Sequence, residues 1–109
     1  MKFDEKLAER VRSALATKRG VTERHMFGGL TFMLRGNMCV GVVGDRLMVR
    51  VGPAAYDEAL RKPHARPMDF TGRPLTGFVY VTPDGFATAA GLRAWVQRAA
   101  KFAMSLPAK

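Results

Sequence analysis

Two histidines, one cysteine and a pair of glycines are the residues of this chain whose types could support chemistry. His25 and His64 are far apart in the sequence and match no metal-ligand spacing such as His-Glu-x-x-His. We expect His25 to be a hydrogen-bonding residue at the end of a strand and His64 to be an exposed loop residue. No metal site is therefore predicted.

Cys39 is the only cysteine, so the chain cannot form an internal disulfide and suits a reducing cytoplasm. A cysteine acts as a nucleophile only when a base or a cation lowers its pKa. The strand pairing predicted below places Arg50 opposite Cys39, with Arg46 on the same face, which would favour a thiolate. A single strand cysteine among apolar residues is more often a small hydrophobic residue, and we adopt that interpretation.

The glycine pair Gly28-Gly29 invites comparison with phosphate-binding loops. It lacks the Gly-x-Gly-x-x-Gly and Walker-type patterns, and a strand rather than a helix is predicted after it. A glycine pair before a strand indicates a bulge or a tight corner. The carboxylates of the second half are scattered, at Asp57, Glu58, Asp69 and Asp84. We therefore predict no catalytic residues, no cofactor and no enzymatic activity.

An excess of basic residues is the main anomaly of the composition. The 109 residues include 18 Lys and Arg against 9 Asp and Glu, a formal net charge of +9. Such an excess attracts nucleic acid, an anionic membrane or an acidic protein, but the basic residues form no long run, so charge alone selects no partner. No apolar stretch is long enough to cross a bilayer, and the acidic residues near the N-terminus do not suit a signal peptide. We expect one cytoplasmic domain over residues 1–109, with no membrane partner.

Hydrophobic periodicity predicts a helix near each end of the chain. Apolar residues from Phe3 to Leu15 recur at three- and four-residue spacing, and a second stripe from Leu92 to Ala103 lies in a helix predicted over 88–106. Between them we predict strands at 30–35, 38–43 and 46–51, a short helix at 54–60, an extended stretch at 65–70, a turn at 71–74 and a strand at 78–81. The order α-β(3)-α-β(2)-α indicates a single α+β domain.

The dipeptides Gly36-Asn37 and Gly44-Asp45 predict the turns of two successive β-hairpins, because their central positions must accept a positive φ. Two-residue turns place Arg35 opposite Met38 and Val43 opposite Arg46, which assigns each side chain to a face. The face predicted to lie against the helices carries Met33, Met38, Val40, Val42, Leu47, Val49 and Val51. The opposite face carries Leu30, Phe32, Leu34, Cys39, Gly41, Val43 and Met48, with Arg46 and Arg50 beside them.

This opposite face is apolar, whereas a sheet covered on one side should carry polar residues on the other. Soluble proteins tend to cover such a patch, and arginine beside methionine and an aromatic residue is a common interface mixture. Two alternatives stay open: the segment from Pro63 to Gly77 covers the face, or Phe32 stacks a nucleic-acid base while the arginines hold phosphate. The predicted interaction surface consists of Leu30, Phe32, Leu34, Val43, Arg46, Met48 and Arg50.

The run from Met26 to Val51, MFGGLTFMLRGNMCVGVVGDRLMVRV, resembles the signature of the TfoX N-terminal domain family, the module of the TfoX (Sxy) competence regulators. In this family the MFGG motif precedes a strand, a glycine turn, a second strand and a third strand that the residues LMVR at 47–50 match. The later GRPLTGFVYVTPDGF and the helix with Leu92 and Trp95 are also similar. The resemblance implies a two-layer α+β domain with an antiparallel sheet, similar to secretion-chaperone-like folds, and it implies no catalytic residues.

The resemblance also implies a regulatory role, because competence regulators of this family are thought to act with the cyclic-AMP receptor protein at promoters, usually with a C-terminal helical domain. Together with the apolar face, it leads to the hypothesis of a non-enzymatic protein-binding or self-associating module, an accessory transcriptional or competence-type regulator. Its partner would be a second copy or a regulatory protein. The alternative is a basic nucleic-acid-binding domain that uses the exposed sheet face and binds weakly, without sequence preference.

Overall fold

Six antiparallel strands form one sheet, and three helices pack against one of its faces. The computed structural model describes residues 3–69 and 72–109. The elements, in chain order, are α1 (Glu5–Ala14), β1 (Val21–Met26), β2 (Gly29–Leu34), β3 (Asn37–Val43), β4 (Arg46–Arg50), α2 (Tyr56–Leu60), β5 (Ala65–Pro67), β6 (Phe78–Val81), a 3-10 turn (Pro83–Phe86) and α3 (Ala89–Ser105). The strand order in the sheet is β1-β2-β3-β4-β6-β5. This architecture confirms the α+β fold in two layers.

The helices α1 and α3 begin at capped residues, and each buries one stripe of side chains. The Asp4 carboxylate accepts hydrogen bonds from the backbone N–H groups of Lys6 (2.9 Å) and Leu7 (3.2 Å), which satisfies donors at the start of α1. The Thr88 hydroxyl accepts the N–H of Gly91 at 2.9 Å and caps α3 in the same way. Both predicted helices are confirmed. Their buried residues, which join the main core, are Leu7, Ala8, Val11, Leu92, Trp95, Val96, Ala99, Ala100 and Ala103.

The edge strand β1 is an element that the sequence pattern does not predict. Its four central residues are exposed and its ends are half-buried, so it lacks the alternation that marks a strand. It forms a hairpin with β2, in which Met26 pairs with Gly29. At the other edge, β5 covers only the start of the extended stretch predicted at 65–70. Phe70 and Thr71, which end that stretch and begin the predicted turn, lie outside the described residues.

The turn between β3 and β4 is confirmed, whereas the turn between β2 and β3 lies one residue earlier than predicted. Val43 pairs with Arg46, as expected. Leu34 pairs with Asn37, so the turn residues are Arg35-Gly36, and both have a positive φ, 55° and 83°. Positive φ at both central residues is what a type I′ turn requires, and this turn suits a two-residue hairpin.

A β-bulge then shifts the register between β2 and β3. Met33 pairs with Met38, but Phe32 pairs with Val40, so Cys39 is an extra residue in β3. The extra residue moves β2 by one position relative to the rest of β3. Because side chains alternate along a strand, a shift of one position turns each of them to the other face.

The face predicted for the side chains of β2 is therefore wrong. Leu30, Phe32 and Leu34 belong to the main core beside the helices, and so does Cys39. Met38 lies on the opposite face in a second cluster, and its partner Met33 shares that face. Neither bulge residue is a glycine, so the turn pattern does not reveal the bulge. The core positions that are confirmed are Val40, Val42, Leu47, Val49 and Val51.

The space around Gly29 shows how closely the hairpin of β1 and β2 approaches β3. A methyl group at Gly29 would overlap the carbonyl oxygen of Val42, whereas one at Gly28 would meet open space. Gly28 has a φ of +74°, so an alanine there costs only the left-handed backbone conformation, about 1–2 kcal/mol. We expect Gly29→Ala to lower the free energy of unfolding by about 3 kcal/mol in urea titrations. A larger loss in Gly28→Ala than in Gly29→Ala would contradict this close approach.

Candidate interaction surface

We call the sheet face opposite the helices the second face. Paired residues of neighbouring strands project to the same side, so the pairing defines rows of side chains across the sheet. One row has an arginine at each end and buried residues at its centre. From β1 to β5 it consists of Arg24, Thr31, Gly41, Met48, Tyr80 and Arg66.

A second apolar cluster occupies the centre of this face. Met48, Met68 and Tyr80 are buried there, with exposed fractions of 0%, 0% and 3%. Met68 belongs to the segment between β5 and β6, which therefore covers part of the face, as one of the two alternatives predicted. Five partly buried residues surround the cluster, and we call them the apolar rim. They are Phe27, Met38, Val43, Leu75 and Phe78.

The turn between β1 and β2 brings Phe27 to this cluster. Phe27 and Gly28 occupy the two turn positions with φ values of 57° and 74°. Such a conformation is rare for a bulky side chain. Gly29 follows at the point where β3 leaves no room for a side chain. The Met-Phe-Gly-Gly motif therefore makes a tight turn that presents an aromatic ring to the second face, and the tight corner predicted from the glycine pair is confirmed.

Two arginines of β4 lie over aromatic rings beside the cluster. The guanidinium carbon of Arg46 lies 4.0 Å from the ring centroid of Tyr80. That of Arg50 lies 5.5 Å from the ring centroid of Phe78 and 5.2 Å from that of Phe102 in α3. Arg50 Nη1 also donates to the carbonyl of Met38 at 3.4 Å. Burial raises the pKa of the Tyr80 hydroxyl; Arg46 acts in the opposite direction, and the nearby charge of Asp69 raises the pKa further. Stacking on a ring orients each planar guanidinium and leaves N–H groups along its edge.

Every ion pair within residues 3–69 and 72–109 involves α1 or α2. Arg12 of α1 pairs with Glu23 at 2.6 Å, and Arg98 pairs with Glu58 of α2 at 3.1 Å. The remaining pairs join Arg12 to Glu9 and Lys62 to Glu58. The second face therefore carries positive charge without ion pairs in the described part of the chain. Its arginines are Arg24, Arg46, Arg50 and Arg66.

The structure divides the predicted interface residues into two groups. Leu30, Phe32 and Leu34 lie in the main core, and Met48 lies under the second cluster, so none of these four can contact a partner in this conformation. The remaining three lie at the surface of the second face, and their role as an interface stays a prediction. They are Val43, Arg46 and Arg50.

Sequence reasoning missed the other members of the apolar rim. Phe27, Met38, Leu75 and Phe78 reach the second face through the β1–β2 turn, the bulge and the segment before β6. Only Phe78 had a usable signal, because the alternation in Phe-Val-Tyr-Val assigns Phe78 and Tyr80 to one face. The other three depend on tertiary contacts that local patterns do not encode.

The residues considered for chemistry stay separate in the structure. Burial raises the pKa of the Cys39 thiol to about 12 and outweighs the lowering by Lys18 and Arg50, so the thiol is neutral. His25 and His64 are both exposed. Within residues 3–69 and 72–109, no three His, Cys, Asp or Glu side chains are arranged to hold a metal ion. Over the same ranges, no helix is long and apolar enough to cross a membrane.

An open cleft of about 520 Å³ lies on the helix side, between α2 and α3. Glu58 and Arg98 line it, and they join through two hydrogen bonds of 3.2 and 3.1 Å. These charged groups satisfy each other, whereas the arginines of the second face have no acidic partner in the described residues. The second face is therefore the better candidate for a functional site.

A family model of the TfoX N-terminal domain matches residues 13–103. The chain belongs to the TfoX N-terminal domain family. No curated protein and no solved structure matches it significantly. The resemblance noted in the Met-Phe-Gly-Gly motif and the strands after it is thus confirmed, and the family is associated with competence regulation. The matched region of this TfoX N-terminal domain contains all of the sheet, the apolar rim and the arginines of the second face.

Charged substitutions should distinguish the buried second cluster from the apolar rim around it. Met48→Glu places a carboxylate under Met68 and Tyr80, so we expect a loss of at least about 3 kcal/mol in unfolding free energy. Val43→Glu changes a half-buried residue, and we expect a loss of about 1 kcal/mol or less. Urea unfolding followed by circular dichroism measures both variants. Equal losses in the two would contradict the burial of Met48 beneath the second cluster.

The buried Cys39 thiol should make stability fall at high pH. Its pKa is about 12 in the folded domain, against about 8.5 in an unfolded chain. The unfolded chain thus releases this proton at a lower pH than the folded domain does. The contribution of the neutral thiol to stability is complete below about pH 8.5 and is lost as the pH rises toward about 12. The loss amounts to up to about 1.4 kcal/mol per pH unit. Between about pH 8 and pH 10, the parent should lose more unfolding free energy than Cys39→Ala. Equal losses of unfolding free energy in the two proteins would show that the thiol does not contribute to the pH dependence of stability.

Proposed function

We propose that this TfoX N-terminal domain is a non-enzymatic binding module that docks a regulatory protein in the cytoplasm, as an accessory factor in transcriptional or competence-type regulation. One observation carries the proposal: a rim of partly exposed apolar residues lies beside two ring-stacked arginines on the sheet face opposite the helices. The association of the family with competence regulation supports the regulatory part of the proposal.

The composition of this surface supports docking to a protein. Aromatic residues, methionine and arginine are enriched at protein interfaces, and the apolar rim supplies Phe27, Phe78 and Met38 beside Arg46 and Arg50. The two guanidinium groups are already held over rings, so less side-chain entropy is lost when they bind. The fully buried residues beneath them give the rim a rigid support.

Nucleic-acid binding is the second candidate, and the unpaired arginines favour it. A sheet that binds single-stranded nucleic acid stacks bases on exposed aromatic rings. Phe32, which the sequence suggested for this role, is buried in the main core. Tyr80 is 3% exposed, and the Arg46 guanidinium lies over its ring. These two rings cannot accept a base, and the rings of the apolar rim, Phe27 and Phe78, are only partly exposed beside Met38, Val43 and Leu75. This mixture of side chains suits a protein better than a stacked strand.

Site-specific photo-crosslinking in cells that express the chain naturally tests the docking function. A benzoylphenylalanine at Val43 places the crosslinker at the apolar rim, and the same residue at Ala94 places it on the exposed side of α3 as a matched control. We expect a discrete protein adduct from Val43 and none of the same mass from Ala94. Phe78→Ser in the Val43 background should reduce the yield of the adduct several-fold.

Two results would overturn the proposal. One is the same pattern of adducts from Val43 and Ala94, because the second face would then have no preferred partner. The other is an adduct from Val43 that nuclease treatment removes, which would identify a nucleic-acid contact instead. Thermal melting of each variant shows whether the domain remains folded.

A further inference from the structure

We infer that the partner presents an acidic segment with apolar side chains between its carboxylates, and that a second copy of this chain is not the occupant of the second face. The inference rests on the proposed docking function and specifies the chemistry of the partner. It follows from the charge of the second face, from the spacing of its arginines and from their stacked geometry.

The charge of the chain argues against a second copy. The chain has a formal net charge of +9, and the arginines of the second face take part in no ion pair among the described residues. In a two-fold symmetric dimer, the same patch of each copy meets itself. The second face would then meet its own positive charge, and juxtaposed like charges disfavour association. An acidic partner supplies carboxylates to these arginines without bringing a second set of arginines against them.

The two stacked arginines each lie beside a residue of the apolar rim. Arg46 pairs with Val43 across β3 and β4, and Arg50 pairs with Phe78 across β4 and β6. Because Arg46 and Arg50 are four positions apart on one strand, their Cα atoms are separated by about 13 Å. An extended segment with acidic residues four positions apart matches this spacing. Apolar side chains between its acids would contact Val43 and Phe78.

The stacked geometry favours a planar oxyanion. The ring of Tyr80 covers one face of the Arg46 guanidinium, and the Arg46 side chain makes no hydrogen bond or ion pair within residues 3–69 and 72–109. Its N–H edge can therefore donate two parallel hydrogen bonds to a carboxylate. A phosphate accepts such bonds as well, so the apolar side chains of the occupant are what distinguish an acidic protein segment from nucleic acid.

Fluorescence anisotropy with the purified full chain tests the inference. The probe is a fluorescein-labelled peptide of about twelve residues with the repeat Glu-Ser-Leu-Ser, whose glutamates are four positions apart and lie on the same side of an extended chain as its leucines. A glutamate–serine peptide of equal charge and a single-stranded oligonucleotide of equal charge serve as comparisons. The test variant is Arg46→Glu with Arg50→Glu, and the matched control is Arg93→Glu with Lys101→Glu, which makes the same change in net charge on exposed positions of α3.

We expect the glutamate–leucine peptide to bind at about 50 mM salt, with an affinity at least ten-fold lower in the test variant and less than three-fold lower in the control variant. The affinity should also fall as the salt concentration rises, because exposed charges are screened. If the test variant melts at a lower temperature than the parent, Arg46→Gln with Arg50→Gln replaces it. We then expect the affinity for the glutamate–leucine peptide to be at least five-fold lower than in the parent.

Four results would overturn the inference. They are equal losses in the test and control variants, equal binding of the glutamate–serine peptide, tighter binding of the oligonucleotide that the test variant abolishes, and no binding of the acidic peptide up to about 500 µM. A fifth contrary result comes from sedimentation equilibrium. If the chain self-associates below about 100 µM and Arg46→Glu abolishes this self-association, a second copy occupies the second face. Protein adducts from Val43 without binding of the acidic peptide would reject the acidic partner and leave the docking function standing.

Discussion

The β-bulge at Cys39 determines which side chains of the central strands meet the helices. Because Phe32 pairs with Val40, it enters the main core, where it is one of the largest fully buried side chains. Cys39 and Val40 are consecutive, yet both belong to that core, which a regular strand would not allow. The same shift sends Met38 to the opposite face. The composition of both faces thus follows from one extra residue in β3.

The centre of the second face is apolar because Met48 and Tyr80 pair across β4 and β6, and the chain itself covers this centre. Met68, from the segment before β6, packs on Met48 and Tyr80, and the turn that contains Phe27 closes over the cluster from the other side. These contacts remove the largest apolar groups from water, as the hydrophobic effect requires. What remains at the surface is a rim of half-buried residues, which a partner can extend without first unfolding any part of the domain.

Local patterns predicted the elements that depend on local physics. The stripes of α1 and α3 and the turn at Gly44-Asp45 follow from periodicity and from the need for positive φ, and each is confirmed. The strand β1 escaped prediction, because an exposed edge strand needs no alternation of polar and apolar residues. The bulge was not predicted because neither of its residues, Met38 and Cys39, is a glycine or another local signal of a bulge.

Whether a predicted site residue lies on the second face depends on which hairpin carries it. Val43, Arg46 and Arg50 depend on the β3–β4 turn, and they lie on the second face as expected. Leu30 and Phe32 depend on the β2–β3 register, and one position of error moved them into the core. Residues such as Phe78 come from a strand distant in the sequence, so no local pattern joins them to β4.

The charged side chains that form ion pairs are different from the arginines of the second face. The ion pairs of the described residues involve α1 or α2, and exposed pairs of this kind contribute about 0–1 kcal/mol. Arg46 and Arg50 do not take part in them, and each is held by an aromatic ring instead. In the free domain Arg46 is exposed, whereas Arg50 is half-buried and one of its N–H groups donates to the carbonyl of Met38. An opposite charge beside a water-exposed guanidinium gains little. In the proposed docking, a partner that excludes water from the rim would strengthen the same interaction. We therefore expect these arginines to matter more for association than for folding.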